Sequence, residues 1–421
     1  MSRATHAACF VAGCAVAVTV SAMARPRRAE PARYRSLDTF AQTLSYVSQQ
    51  YVQPVPERQL LYAAARGMVQ SLDAYSAFFS PTEYRRLRED TDGEFGGVGL
   101  ELGPGGPDDA MPTAAGWPIV DGVVPGSPAD RAGLAVDDRL VAVDGAATVG
   151  GDHDERFWDE RLRGTPGSRV VVEVLRAGWA TPRGFELVRA QIKVPSVAAE
   201  VLSPGIGYLS VRRFQEATAR DAADALRKLA ADGGAEIILI DLRSDAGGLI
   251  DQAMAVADEF LDDGLITTIR GRTSQVEVHK AHRGGLAVHA RLIALVNAET
   301  ASAAEILAGA LQDHRRATIV GMKTYGKGVI QTYFDLDDGS GLKLTTNRYL
   351  TPAGHEVEGH GITPDLEVPE FEAEVVVAGA PVEADDPVQP AGNRAILSAR
   401  LEDDYQLRIA YQTAQRWLGS K

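Results

Sequence analysis

Cysteine is nearly absent: the 421 residues hold only Cys9 and Cys14, both inside the first apolar stretch. Once that stretch is removed, the mature chain has no thiol, no disulfide and no cysteine nucleophile. This excludes cysteine-protease and zinc-thiolate chemistry. Histidine is sparse, with eight scattered residues and no His-Glu-x-x-His helix, so a zinc peptidase is disfavoured as well. Positive charge is in deficit, giving a net charge of -14; a phosphate-binding groove is not expected and nucleic-acid partners are disfavoured. Lysine is scarce within that deficit, supplying seven of the 43 basic residues. No internal repeat occurs.

What is present is an ordinary globular composition, 45% hydrophobic and 24% charged, on a chain long enough for two or three domains. Residues 1–24 read as a signal peptide. Arg3 opens it, Ala7 to Val20 is apolar, and Ala22-Met23-Ala24 fits a small-x-small cleavage site. Val11-Ala12-Gly13-Cys14 also resembles a lipoprotein box, and residues 7–24 are just long enough to span a bilayer. The expected location is periplasmic or otherwise extracytoplasmic, membrane-anchored if the segment stays uncleaved or is lipidated at Cys14. The basic cluster Arg25-Pro26-Arg27-Arg28 opposes export.

Residues 25–93 read as an N-terminal helical region: Leu37, Phe40, Leu44, Val47 and Tyr51, then Leu60, Leu61, Ala64 and Met68, recur at helical spacing on either side of Pro54-Val55-Pro56. Residues 94–195 change to short β runs broken by Gly and Pro, with a tight-turn signal at Asp144-Gly145. Residues 196–372 alternate strands and helices. Ile237–Ile240 and Leu292–Val296 are continuous apolar runs, as for strands buried on both faces, and helical segments fall at Ala219–Ala231, Leu249–Leu261 and Ala303–Gln312. Residues 373–393 read as a linker and 394–421 as one amphipathic C-terminal helix.

Three stretches carry candidate chemistry. In Asn297-Ala-Glu-Thr-Ala-Ser302-Ala-Ala-Glu305 a buried strand ends and a helix begins near Ser302. A serine there sits at the positive end of a helix dipole, and the Ala303 N–H has no partner within the helix, so it can receive an oxyanion. The simpler reading is an N-cap serine. In Gly326-Lys327-Gly328-Val-Ile-Gln331 a lysine held in a dry pocket would have a lowered pKa and act as a base, with Gln331 holding its amine. The simpler reading is a solvated lysine in a glycine turn. In Asp241-Leu-Arg243-Ser-Asp-Ala-Gly247-Gly248 two glycines at a strand-to-helix turn expose N–H groups that can complete an oxyanion hole with Ala303; a plain turn is the alternative.

Together, in this order, the three resemble the C-terminal processing peptidases, or tail-specific proteases. That family's pattern is Asp-Leu-Arg-x-Asn-Pro-Gly-Gly, then Ser-Ala-Ser-Ala-Ser-Glu, then Gly-Lys-Gly-x-Val-Gln. The 25 residues from Ser302 to Lys327, the stretches Tyr349-Leu-Thr-Pro and Gly361-Ile-Thr-Pro-Asp365, and Ser71–Phe79 fit it too. Gly96–Leu102, Gly126–Leu134 and Asp138–Gly145 resemble a PDZ domain.

The resemblance implies an α/β peptidase core (crotonase-like α/β) with an inserted small β-rich PDZ domain and flanking helices. It makes Ser302 the nucleophile, Lys327 the general base and Gln331 its orienter. Gly247 and Ala303 become oxyanion donors, with Asp313 and Glu305 supporting. Gly97, Val98, Gly99 and Leu100 would receive a peptide tail, and Arg163 would couple the tail to the active site. The implied function is an exported serine endopeptidase acting on proteins with unstructured apolar C-terminal tails. No metal or cofactor is required, an adaptor is allowed, and the terminal helices could pair two subunits. Three departures stand out: Asp245-Ala246 replaces Asn-Pro, Ala304 replaces the third serine, and Asp137 replaces a glycine before Asp138. The rivals are an inactive PDZ scaffold, toward which Asp245 points, and a hydrophobic-ligand carrier on the same core; intact Ser302, Lys327 and Gln331 argue against both. A crotonase-like acyl-CoA enzyme fits poorly with a PDZ domain and an export signal.

Overall fold

The computed structural model describes residues 33–105, 116–149, 155–273, 276–371 and 393–420. The expected signal peptide, both cysteines and nearly all of the expected linker lie outside them. Two units are distinguished, residues 1–74 and 75–421. The described part of the first consists of helices Arg33–Gln50 and Glu57–Gln70, separated by the segment with Pro54 and Pro56. Prolines lack the N–H that would continue a helix, which is why the two periodic stretches do not fuse. Among the described residues no helix is long and apolar enough to cross a membrane.

The second unit is built on a six-stranded sheet in the order Val197–Ser203, Ile206–Val211, Ile237–Asp241, Arg291–Val296, Ala317–Gly321 and Leu366–Glu367. The first pair is antiparallel and every later pair is parallel. Alternation along its central strands fills two cores. Ile238, Ile240, Leu292, Ala294 and Val296 pack with helices Thr218–Gly233, Ile250–Asp258 and Ala303–Asp313 on one face. Ile237, Leu239, Ile293 and Leu295 pack with Leu407, Ala410, Tyr411 and Ala414 on the other. The continuous apolar runs therefore mark strands covered on both faces, as expected.

A second, antiparallel sheet, not anticipated from the sequence, joins Ala77–Phe79, Gly341–Leu350, Leu265–Gly271 and Val276–Lys280. Val329–Asp335 pairs with the other edge of Gly341–Leu350. Strand Ala77–Phe79 and helix Pro81–Asp92, which lie in the stretch read as N-terminal and helical, belong to this unit.

The β-rich module has sheet order Leu100–Gly103, Ile119–Val123, Arg139–Val143, Arg169–Leu175 and Arg183–Val188, closed over by helix Glu155–Leu162. Its core takes alternate residues, Val170, Val172 and Val174, together with Leu140, Trp158 and Leu187. Asp144 and Gly145 both have positive φ, 48° and 76°, the geometry of the tight hairpin turn their sequence signals. Asp137, where the family has glycine, sits at φ 71°, a left-handed conformation that glycine adopts at least cost.

The expected single C-terminal helix is two, Asn393–Asp403 and Tyr405–Gly419. Asp404 breaks it because its carboxylate is used twice: it caps the second helix by accepting from Leu407 N–H at 2.9 Å, and both its oxygens receive the Arg243 guanidinium at 2.7 Å. Arg243 also holds Asp241 through Nη2 at 2.6 Å. Burial raises the Asp404 carboxyl, but the Arg243 hydrogen bonds outweigh it and hold the group below the usual range. Arg243→Met should therefore cost about 3–5 kcal/mol at neutral pH, because it leaves two partly buried carboxylates unpaired. A depressed folded-state pKa contributes stability above the unfolded value and loses it as pH falls, so this deficit should shrink below about pH 4. Urea unfolding of both proteins across that range checks it.

Candidate active site

The nucleophile candidate lies where strand Arg291–Val296 turns into helix Ala303–Asp313. The turn is braced from outside. Thr300 Oγ1 donates to the Leu242 carbonyl at 2.8 Å, Ala301 N–H donates to the Asp245 carbonyl at 2.9 Å, and Asn297 Oδ1 accepts from Ser244 N–H at 2.9 Å. These bonds lock the loop after Asp241 onto the loop before the helix. Ser302 itself has φ 58° and ψ -117°. An ordinary N-cap serine takes extended φ/ψ, so this outlier, costing about 1–3 kcal/mol, is not needed for capping. Such strain clusters at reacting residues, which favours the nucleophile reading over the cap.

Glu305, one turn into the helix and fully buried, takes four hydrogen bonds. Oε2 accepts from Ser302 N–H and Lys327 N–H, both at 2.8 Å; Oε1 accepts from Gly326 N–H at 2.7 Å and Thr324 hydroxyl at 2.5 Å. Burial raises its pKa against the pull of these donors. One carboxylate thus fixes the backbone of Ser302 and of Lys327 together. Tyr349, with no sequence signal for a role, places its hydroxyl 3.0 Å from the Ser302 carbonyl and 2.8 Å from that of Lys327. Gly328 must be glycine for the lysine loop to lie flat: a Cβ there would stand 2.3 Å from Glu358 N.

Lys327 is half-buried. Burial first, then Lys343, lowers its pKa from the ordinary lysine value, against the opposing fields of Glu358 and Glu305. Its Nζ lies 5.1 Å from the Tyr75 ring centroid. Ser302, Lys327, Gln331, Gly247 and Lys343 line one cleft of about 390 Å³. Among the described residues no hydrogen bond joins Lys327 to Ser302 or to Gln331; Gln331 Nε2 instead donates to Thr345 Oγ1 at 3.3 Å. Catalytic hydrogen bonds are often open without substrate and close in the Michaelis complex.

The two expected oxyanion donors differ. Ala303 N–H, first in its helix, has no partner among the described residues. Gly247 presses on the nucleophile, since a Cβ on it would meet Ser302 Cβ at 2.8 Å and Ala303 N at 2.9 Å, but its N–H donates to Asp245 Oδ1 at 2.7 Å. Asp313 is not brought to the cleft. It ends the helix about 15 Å from Ser302 and accepts from Ala353 N–H at 2.8 Å, supporting the 351–355 turn.

In the β-rich module, Gly97 ends strand Glu94–Gly97, Val98 is buried, and Gly99 leads at φ 81° into strand Leu100–Gly103. That strand is the sheet edge, unpaired on its outer side among the described residues. Beside it is a groove of about 330 Å³ lined by Leu100, Leu102, Val124, Phe95, Asp159 and Arg163. The Arg163 guanidinium lies 4.2 Å from the Phe95 ring centroid, and its Nε pairs with Asp159 at 3.0 Å. Asp90 and Arg213 line both this groove and the catalytic cleft.

The profile of peptidase family S41 matches residues 205–368 and that of the PDZ domain residues 119–176. A carboxy-terminal-processing protease of Bartonella bacilliformis is 35% identical over 365 residues, covering 85% of this chain and 81% of its own. The chain belongs to the carboxy-terminal-processing proteases of family S41. A carboxyl-terminal-processing protease of Synechocystis is 37% identical over 74% of this chain and 72% of its own. A solved Bacteroides fragilis protein, described as a candidate S41 protease, shares the fold with TM-score 0.51 at 20% identity, over 78% of this chain and 90% of that one. The expected family, peptidase-plus-PDZ fold and serine protease activity are therefore established.

Proposed function

We propose that the chain is an exported Ser–Lys endopeptidase that selects proteins by their C-terminal tails. The observation that carries the catalytic part is the strained Ser302 sharing a cleft with a desolvated Lys327, the two backbones fixed by one buried carboxylate. Lys327, as the neutral amine, takes the proton from Ser302 Oγ as the oxygen attacks the scissile carbonyl. The oxyanion is received by Ala303 N–H, with Gly247 N–H as second donor once it leaves Asp245. Collapse breaks the C–N bond, the Lys327 ammonium returns the proton to the leaving amine, and water then hydrolyses the ester by the same exchange. Gln331, beside Lys327 in the cleft, steadies the amine in the substrate complex.

The free edge of Leu100–Gly103 supports strand addition by a peptide tail, its terminal carboxylate meeting the loop N–H groups from Gly97 to Leu100 and its apolar side chains Leu100 and Leu102. Arg163 and the shared wall of Asp90 and Arg213 give this groove a route to the cleft. The test is cleavage of one unfolded substrate carrying an apolar tail, an aspartate-terminated tail or an amidated apolar tail. The free apolar tail should lower KM about tenfold or more relative to the others; equal KM values would remove tail selection. Export is tested by the N-terminus of protein recovered outside the cytoplasm, expected at Arg25.

A further inference from the structure

Asp245, where the family has asparagine, is fully buried beside the nucleophile. One carboxylate oxygen accepts the Gly247 N–H at 2.7 Å; the other is buried without a partner. Nothing in the catalytic reading uses this group, yet it holds one of the two N–H donors that the reading requires. We propose that Asp245 is a positioning residue that withholds the Gly247 N–H from the oxyanion site while ionised and yields it when protonated. This rests on the Ser302 nucleophile reading.

The geometry favours such a clamp. The Gly247 peptide touches Ser302 and Ala303, at positive φ (97°), so a small rotation of that peptide moves its N–H between Asp245 and the space beside Ser302. An ionised acceptor holds an N–H roughly twice as strongly as a neutral one, so the proton on Asp245 sets how readily the donor is released. An anion next to the forming oxyanion opposes it as well. The group titrates in a useful range. Burial pushes its pKa up to about 7, against the Gly247 hydrogen bond and the field of Arg213, which lines the same cleft. Arg213, on the segment after strand Ile206–Val211, is the charged side chain acting on it. The 301–303 turn packed against this loop bonds the Asp245 carbonyl through Ala301 N–H at 2.9 Å and presents to Gly247 the Ala301 carbonyl, the Ser302 Cβ and the Ala303 nitrogen, none of them a charged group.

The experiment compares Asp245→Asn with wild type from pH 5.5 to 9 on a substrate without groups titrating in that range, with Ser302→Ala as control. Asparagine mimics the protonated acid, so the variant-to-wild-type ratio of kcat/KM should climb from near one at pH 5.5 to about tenfold at pH 8.5, with its midpoint near 7. A ratio that does not change with pH, or a variant slower throughout, overturns the proposal. If the variant does not fold, the wild-type profile decides: a break in the ascending limb near pH 7 supports the clamp, and one straight limb overturns it. Unfolding gives a readout apart from activity. A carboxyl with a raised folded pKa loses stability as pH rises from about 4 to 7, so the wild type should lose stability relative to Asp245→Asn in that window. Activity surviving in Ser302→Ala would instead sink the nucleophile reading. A dead Ser302→Ala with a flat Asp245→Asn ratio would remove the clamp alone.

Discussion

Ser302→Ala is expected to lower kcat/KM on an unfolded protein substrate by about 10⁵- to 10⁶-fold, and Lys327→Met to a similar level, with the double variant no worse than either. The non-additivity follows from the proposed chemistry: without the base the hydroxyl is not a nucleophile, and without the hydroxyl the base has nothing to activate. The two lesions differ in stability. Lys327→Met replaces a desolvated ammonium by an apolar chain of similar length, so the fold should be unharmed or firmer. Ser302→Gly should be as inactive as alanine yet more stable by about 1 kcal/mol, because glycine relieves the φ 58° strain. Progress curves and thermal melts of the wild type and the four variants check this. Retained turnover in Ser302→Gly would contradict it.

Glu305→Ala is expected to damage fold and activity together. It strands four buried donors, the N–H groups of Ser302, Gly326 and Lys327 and the Thr324 hydroxyl. The cost should be about 3–5 kcal/mol, lowering the melting temperature by roughly 10 °C. Activity should fall at least about 100-fold beyond any loss of folded protein, since the Ser302 and Lys327 backbones lose their common anchor. Glu305→Gln keeps one acceptor oxygen but turns an amine toward donors, so it should rescue only part of either effect. A variant stable and fully active would show that Glu305 is not the brace its bonds describe.

The sequence was most readable where burial is simplest. Every residue of Ile237–Ile240, and of Leu292–Val296 beside it, is apolar because both strands are covered on both faces. The antiparallel sheet was hidden because its longest strand, Gly341–Leu350, alternates only as far as Leu344: Thr345, Thr346, Asn347 and Arg348 then follow one another with no apolar partner between them. The break at Asp404 was illegible because its cause, Arg243, lies 161 residues away in sequence. Ser302 and Lys327 were legible only through the order of several motifs, since alone each looks like a cap or a turn. Glu305 has the sequence signature of a capping box, and only the fold shows that it also holds the lysine loop. Asp313, read as a supporting residue, supports the 351–355 turn at the far end of the helix, because spacing along the chain says nothing of which end of a buried helix faces the cleft.

The central claim, that Ser302 is acylated with Lys327 as its base, is tested most directly by labelling the folded protein with a serine-directed phosphonate ester. Peptide mass mapping then locates the adduct. A single adduct on the peptide containing Ser302, formed at least about 1000-fold more slowly in Lys327→Met, is the predicted result. An adduct on another residue, or equal labelling rates in the two proteins, would contradict it.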